Sequence, residues 1–458
     1  MSAHVKGRIG SHRTIDEKPS LTLDFSRYLR DQRFHGQEKI HLNNSVEDAS
    51  YMNELVGSRL FGAAGIPAPR VGHAIVFLNG RRLGLYVMKE SFGASFLSAA
   101  FPGDSPGTLY EPEIGHDVDE SLRGKRARSG VGRENPSPSR LAEALKDPNL
   151  DSRWERTRAL LDVDRFIRFM AWEVVTGHRD GYCLARNNFR LYYDPAKHRF
   201  TFLPQGMDVL FGTPDMAWKP DMAGLAARSL MERPEVQAEY RRQLEEAVKN
   251  QMDVRALCAV VDERVARLGE AVTPSERASL EEAAQSLKTR MEQRKSSLTA
   301  QLAAGDRKAL TFDRGFELLT DWTARDVPDG GALRRDTRQG RPALLIEAGP
   351  RTSASWRSRV RLTPGRYRLD TEVQTLGVRA LGFGSRHGVS LRRAGSDDTC
   401  VAAELSDRRW ASVWLEFLVE GEGDAELLCE LRASAGRAWF ALDSLRLTRL
   451  AGKEPPAR

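Results

Sequence analysis

No stretch of the chain approaches the roughly 18 consecutive apolar residues that a membrane-spanning helix needs, so a span of that kind is excluded. The opening residues Met1-Ser-Ala-His-Val-Lys-Gly-Arg8 have no apolar run behind their basic side chains, and no secretory signal is predicted there. Cysteine is scarce. Cys183, Cys258, Cys400 and Cys429 form no CxxC pair and show no Cys/His spacing, which argues against a structural zinc or a redox motif. Cys400 and Cys429 fall in one expected β domain, where separate small core thiols are commoner than a disulfide. Aromatics make up only 8% of residues and do not interleave with the basic ones, so the net charge of +7 predicts no nucleic-acid partner.

The 458 residues, 40% of them hydrophobic, are enough for two or three separate cores. Residues 1–110 read as β structure with one helix. Ser20-Leu-Thr-Leu-Asp-Phe25 alternates, and Ala74–Leu78 and Gly84–Met88 flank Asn79-Gly80, a dipeptide suited to a type I′ hairpin turn. A helix is expected to open at Asp48, run through Leu55, Leu60 and Phe61, and stop near Gly65. Residues 111–150 hold the densest basic run, Arg123–Arg140, broken by Gly, Ser and Pro and therefore read as a solvated insertion or linker. Residues 151–304 begin with one helical pattern from Arg153 to Gly177, continue through a polar loop and two short strands, and end in three or four amphipathic helices. From 310 to 450, short strands with frequent turns predict an all-β, jelly-roll-like sandwich, and 451–458 a disordered tail. The fold class is α+β.

Chemistry concentrates in the loop between helix and strands. His178-Arg-Asp-Gly-Tyr182 followed by Asn187-Asn188 sets a carboxylate and two amides on one loop, and Asp208 comes 20 residues after Asn188, beyond a two-stranded ribbon. Phosphoryl transfer needs such a set: one carboxylate to orient the attacking hydroxyl, and an amide with a second carboxylate to hold Mg²⁺ or Mn²⁺ against the phosphates. Asp180 takes the first role, and Asn187, Asn188 and Asp208 the second. Singly, each of these is the kind of residue that also caps turns and helices; the ordered series is what carries the reading.

These residues resemble the CotH family, the spore-coat CotH-like atypical protein kinases, and in particular its bacterial branch with an additional C-terminal module. The landmarks are Lys6–Arg13 with Lys18-Pro19, Phe34-His-Gly36, His41–Ser45 with Asp48, Leu78-Asn-Gly80 with Leu83–Tyr86, and the loop His178–Asn188 with Gly206-Met-Asp208. The resemblance spans residues 4–304 and implies a two-lobed kinase-like domain with a helical extension. It further implies transfer of the γ-phosphate of ATP to serine or threonine of a protein, Mg²⁺ or Mn²⁺ dependence, and a secreted or surface-associated setting. On this resemblance Gly7–Arg13, including Arg8, Gly10 and Ser11, covers the phosphates. Lys18 contacts the nucleotide and Glu54 orients it, with Lys39 and Lys89 competing for that contact. Two departures stand out. Asp180 and Asn187 are seven apart, where ordinary kinases space the two residues by five. Leu109-Tyr-Glu111 carries a glutamate where many members carry lysine.

Five of the eight tryptophans, Trp322, Trp356, Trp410, Trp414 and Trp439, lie in the final module. Aromatic faces bind sugar rings, so a cell-surface glycan is a second expected partner, against the commoner role of tryptophan in a sandwich core. The alternative to an active kinase is a non-catalytic surface-binding protein; transfer of a nucleotidyl group is a third reading.

Overall fold

The structure, a computed structural model, describes residues 1–7, 12–103, 107–113, 115–120, 123–126, 136–304, 308–328, 330–381, 388–394, 399–401 and 409–450. The chain divides into two compact units, one covering Met1–Trp218 and Met222–Ala304, the other Lys219–Asp221 and Gly305–Arg458. The first mixes helices and sheets, and the second is built of strands. Arg8, Gly10, Ser11 and much of the basic run after Arg126 lie outside the described residues.

In the first unit β1 (Ser2–Lys6), β2 (Ser20–Asp24), β3 (Lys39–Asn43), β4 (Val71–Leu78) and β5 (Arg81–Glu90) form an antiparallel sheet in the order β1-β2-β3-β5-β4. Asn79 and Gly80 join β4 to β5 with positive φ angles of 50° and 81°, the backbone a two-residue hairpin turn requires. Between β3 and β4 runs α1 (Asn53–Ala63). The helix starts five residues later than Asp48 predicts. Asp48 accepts from the backbone N–H of Ser50 at 3.0 Å and of Asn53 at 2.9 Å, holding a turn in which Tyr51 has φ +58°, a conformation no helix admits.

After α2 (Ala94–Ala100), strands β6 (Thr108–Glu111) and β7 (Arg123–Arg126) pair with each other, and α3 (Pro138–Leu145) follows, capped by Ser137 with Pro138 in its first turn. The segment read as a solvated insertion therefore contributes a strand and a helix. The single helix expected from Arg153 to Gly177 is two, α4 (Leu150–Leu160) and α5 (Val163–Val175). Leu161 is extended and bridges Phe200, the N–H of Asp162 donates to the Phe200 carbonyl, and the Asp162 carboxylate caps α5. A short helix α6 (Tyr182–Ala185) leads to β8 (Phe189–Asp194) and β9 (Arg199–Pro204), completing the sheet β7-β6-β8-β9.

Then come α7 (Leu225–Leu230), α8 (Pro234–Glu246), α9 (Val254–Gly269) and the 31-residue α10 (Pro274–Ala304). Leu280, Ala284, Leu287, Met291, Leu298 and Leu302 recur every third or fourth residue on α10 and join the core shared by α1, α5 and α9. Arg294 sits in that stripe fully buried. Its guanidinium donates to the carbonyls of Val174 at 2.6 Å, Val175 at 3.3 Å, Pro214 at 3.2 Å and Met216 at 2.6 Å.

The second unit comprises β10 (Phe316–Leu318), β11 (Thr323–Arg325), β12 (Ala332–Arg338), β13 (Arg341–Glu347), β14 (Thr352–Leu362), β15 (Gly365–Ala380), β16 (Gly388–Arg393), β17 (Thr399–Val401), β18 (Ala411–Val419), β19 (Gly423–Ala441) and β20 (Arg446–Arg449). The long strands β15 and β19 change partners along their length: β19 pairs first with β14 and β16, then with β13 and β15. Cys400 and Cys429 are free thiols standing opposite Leu391 from either side, so two strand spacings separate them.

Candidate active site

Helix α5 delivers the polar loop. Gly177, at φ +61°, reverses the chain after the helix, and Glu173, one turn back, is fully buried beneath the loop. Its carboxylate accepts from the backbone N–H of Tyr182 at 2.9 Å and of Cys183 at 2.7 Å. Burial nonetheless raises its pKa. A Cβ on Gly181 would come within 2.4 Å of that carboxylate, so only glycine lets the loop close over it. His178 is buried as well, with Nε2 3.0 Å from the Gln205 carbonyl, tying the loop to the end of β9. No sequence signal singled out Glu173, because its partners are backbone amides.

On this clamped loop Asp180 meets both asparagines. Asn187 Nδ2 lies 3.0 Å from each carboxylate oxygen, and Asn188 Nδ2 lies 2.6 Å from Oδ2 and 3.4 Å from the Gly206 carbonyl. Asn188 and Gly206 both have positive φ, 44° and 56°, and a Cβ on Gly206 would press within 2.5 Å of the Asn188 amide. Asp208 follows two residues on. Burial first, and then the neighbouring Glu54, raise its pKa. The Glu47 carboxyl is raised chiefly by burial, and then by Asp208 and Asp180.

Glu54 comes from α1. Its Oε1 accepts from Lys89 Nζ on β5 at 2.8 Å and from the Met207 N–H at 3.2 Å, while its buried Oε2 has no hydrogen-bond partner among the described residues. Gly57 permits the approach: a Cβ there would strike Leu210 and Met207 at 2.8 Å. Asn53, one residue before Glu54, donates to the Asp208 carbonyl at 2.8 Å. Strand β5, helix α1 and the Gly206–Asp208 segment thus join through one carboxylate.

The lysine that Glu54 orients is Lys89 and not Lys18. Lys18 precedes β2 and points its Nζ at the Tyr51 hydroxyl, 2.7 Å away, with the Tyr86 ring 5.1 Å off. Burial lowers its pKa to about 8. Lys39 is paired with Asp24 at 2.9 Å. Glu111, the departure noted above, is paired with Arg190 of β8 at 2.7 Å. Lys6, at the end of β1, was missed: burial first, and then Lys89, lower its pKa to about 8, against the opposite pull of Glu54 and Asp208.

The donor set is one of hard oxygens, with two carboxylates, an asparagine amide and an anionic crowd at Asp208 and Glu54 that a cation relieves. That chemistry fits Mg²⁺ or Mn²⁺. Among the described residues no three His, Cys, Asp or Glu side chains form a metal cage by themselves. Mg²⁺ is commonly held by one or two carboxylates with phosphate oxygens supplying the rest.

In the second unit Trp322, Trp356 and Trp439 are buried, each donating its indole N–H: to the Leu319 carbonyl, the Leu345 carbonyl and the Asp336 carboxylate. They are core residues. Trp414 is 46% exposed, with the Arg368 guanidinium 4.7 Å from its ring centroid.

A family model described as CotH kinase protein matches residues 3–298. The chain is 26% identical over 238 residues to Invasin CotH2 of Rhizopus delemar, a match covering 45% of this chain and 40% of that one. It is 26% identical over 217 residues to the inner spore coat protein H of Bacillus subtilis, covering 44% and 57%. The chain thus spans about half the length of these relatives. Among solved structures it is similar to the Helicobacter pylori proinflammatory kinase CtkA, with TM-score 0.31 and 7% identity over 66% of this chain and 98% of that one. The CBM22-1 xylan-binding domain of Paenibacillus barcinonensis Xyn10C gives TM-score 0.21 and 18% identity over 30% and 91%.

Proposed function

The chain belongs to the CotH kinase family, and from that premise we propose that its first unit transfers the γ-phosphate of ATP to a serine or threonine hydroxyl of a protein. The observation that carries the reading is the double use of Glu54. One carboxylate oxygen holds the Lys89 ammonium and also the N–H of Met207, next to Asp208. Lys89 and the segment that carries Asp208 are thereby tied to one carboxylate, which supports the positioning that phosphoryl transfer demands.

On this reading Lys89 pairs with the α- and β-phosphates and Glu54 fixes its direction. Asp208 and Asn188 would supply oxygen ligands to Mg²⁺ or Mn²⁺, whose charge would neutralise the phosphate oxygens. Asp180 accepts the proton of the substrate hydroxyl as its oxygen attacks the γ-phosphorus, and ADP leaves with the bridging electrons. The amides of Asn187 and Asn188 keep the Asp180 carboxylate aimed at that proton. Glu173 and His178 act one layer further out, by holding the loop.

Incubation of the full chain with labelled ATP and Mg²⁺ or Mn²⁺, with and without a casein-type acceptor, tests this. Label should appear on serine or threonine and fall by at least about a hundredfold in Asp208→Ala. Equal labelling by that variant would refute the assignment, and an AMP adduct in intact-mass analysis would replace phosphoryl by nucleotidyl transfer.

A further inference from the structure

Side chains alternate along a strand, so the strands of the second unit have a buried side and an outward side. On β18 Val413, Leu415 and Phe417 are buried, while Ser412, Trp414, Glu416 and Leu418 between them are exposed. The register carries the outward side across four strands: Trp414 stands opposite Asp370 of β15, Asp370 opposite Arg446 of β20, and Arg446 opposite Leu318 of β10. A second row runs from Glu416 through Arg368 and Thr448 to Phe316. Three strand spacings make each row about 14 Å long.

Outward positions of a sandwich are ordinarily polar, which makes an open indole the informative residue. Trp414 stays 46% exposed although the Arg368 guanidinium lies 4.7 Å from its ring centroid. Arg368 is held there by Asp370, which accepts from its Nε at 2.7 Å. The arrangement recurs at Trp410: Arg341 lies 4.9 Å from that ring centroid and pairs with Glu372, on the same outward side of β15, at 2.8 Å and with Asp443 at 2.6 Å. Trp410 is half-buried and packs on Trp439, so Trp414 is the ring left open.

Two features say what covers it. Among the described residues, β15, β18 and β20 present three outward guanidiniums, Arg366, Arg368 and Arg446, and three outward carboxylates, Asp370, Glu372 and Glu416. A balanced face sets up no field that would draw in a polyanion or a polycation. The charged groups of β15 and β20 also occupy the middle of the face, with Trp414 and Leu418 of β18 and Phe316 and Leu318 of β10 at its sides. A protein partner calls for the reverse, an apolar centre inside a polar rim. A neutral sugar chain suits both features. Its C–H faces stack on an indole, and each hydroxyl both accepts from a guanidinium and donates to a carboxylate.

We propose that this outward face binds a neutral polysaccharide. Trp414 stacks on a sugar ring, and Arg368, Asp370 and Glu416 exchange hydrogen bonds with its hydroxyls. Rows longer than one sugar ring call for a chain and not a monosaccharide. The inference concerns the second unit alone and stands whether or not the first unit transfers phosphate.

The test is calorimetric titration of the full chain with soluble β-glucan, mannan, arabinan and starch, and with alginate and polygalacturonate as acidic counterparts. Salt at about 0.3 M screens the chain's net charge of +7. At least one neutral polymer should bind, and more tightly than either acidic one. Trp414→Ala should weaken that binding about tenfold or more with the melting midpoint unchanged, and Trp414→Tyr should restore part of it. Glu416→Gln, which keeps the size of the side chain, should weaken it as well. Absence of binding to every neutral polymer, tighter binding of the acidic ones, or equal affinities in wild type and Trp414→Ala would each overturn the inference. Self-association of the wild type that Trp414→Ala abolishes would give the face to a second copy of the chain and overturn it too.

Discussion

The Lys89 ammonium stands 2.8 Å from Glu54, 35 residues away in sequence, and both side chains are almost wholly buried, with 10% and 3% of their side-chain surfaces exposed. Two charges removed from water are held there by each other and by the Met207 amide. Such a pair is a poor device for stability alone, since apolar residues of equal volume commonly do as well. Its placement beside Asp208 gives it a functional reason to persist.

Removing one partner should therefore be felt twice. Lys89→Met leaves Glu54 buried and uncompensated, a loss of about 3–5 kcal/mol in stability, and transfer activity should fall by at least about a hundredfold. The double variant Lys89→Met/Glu54→Gln should be more stable than Lys89→Met alone while remaining inactive. Urea unfolding of the singles and the double checks this, and strict additivity of the two single effects would contradict the pairing.

Asn187 and Asn188 were equivalent candidates in the sequence, and the structure separates them. Both reach Asp180, but only Asn188 also approaches the Gly206 carbonyl, bridging the loop to the segment that ends in Asp208. On the proposed assignment of Asn188 to the metal, Asn188→Ala should raise the Mg²⁺ concentration for half-maximal labelling by about tenfold or more. Asn187→Ala should shift it by no more than about threefold. A metal titration of the labelling rate distinguishes the two.

How much of this was legible follows from which contacts are local. Asp180 and the two asparagines lie on one loop ahead of one β-ribbon, so their contacts could be read from order and spacing. The Lys89–Glu54 pair depends on the register of β5 against β3 and on how α1 lies across the sheet, neither of which any spacing encodes. Lys18 is expected at the nucleotide from the family resemblance, as the lysine that follows the Gly7–Arg13 segment, yet its reach is taken up by Tyr51 and Tyr86. The break between α4 and α5 was hidden because Leu161 continues the apolar pattern while pairing with a strand met 39 residues later. The tryptophans showed composition but not burial, and three of the five proved to be core.

The loop clamp predicts a glycine effect. Gly181→Ala drives a methyl group to within 2.4 Å of the buried Glu173 carboxylate, which is fixed by two backbone amides and cannot swing away without losing them. A loss of about 1–3 kcal/mol is expected from the overpacking. The labelling rate should fall further than the folded fraction explains, because Asp180 is the adjacent residue. Circular-dichroism melts run in parallel with activity measurements give both numbers.

Arg294 offers a test remote from the chemistry. Four carbonyls, from α5 and from the segment 214–216, converge on one guanidinium. Arg294→Met keeps the apolar stem but leaves those carbonyls without a charged donor, at a cost of about 3 kcal/mol or more. Arg294→Lys should recover only part of this, because an ammonium cannot present a planar fork. Chemical denaturation of the three proteins ranks them, and equal midpoints for wild type and Arg294→Met would contradict the account.

Acid sensitivity should have a signature at the start of α10. Glu276 receives Arg82 of β5 at 3.0 Å and accepts from Thr273, and the hydrogen bond from Arg82 first among these holds its carboxyl at about 2. A carboxyl depressed in the folded state contributes stability that is complete above its ordinary value of 4.5 and is lost as pH falls toward 2. The pair is partly solvent-exposed, 32% and 38% of the two side-chain surfaces, so screening keeps the contribution near that of a surface ion pair, about 1 kcal/mol or less. Melting midpoints of wild type and Glu276→Gln should differ at pH 6, converge between pH 4.5 and pH 2, and differ less at high salt. A constant difference across that window would mean that Glu276 acts by packing and not by charge.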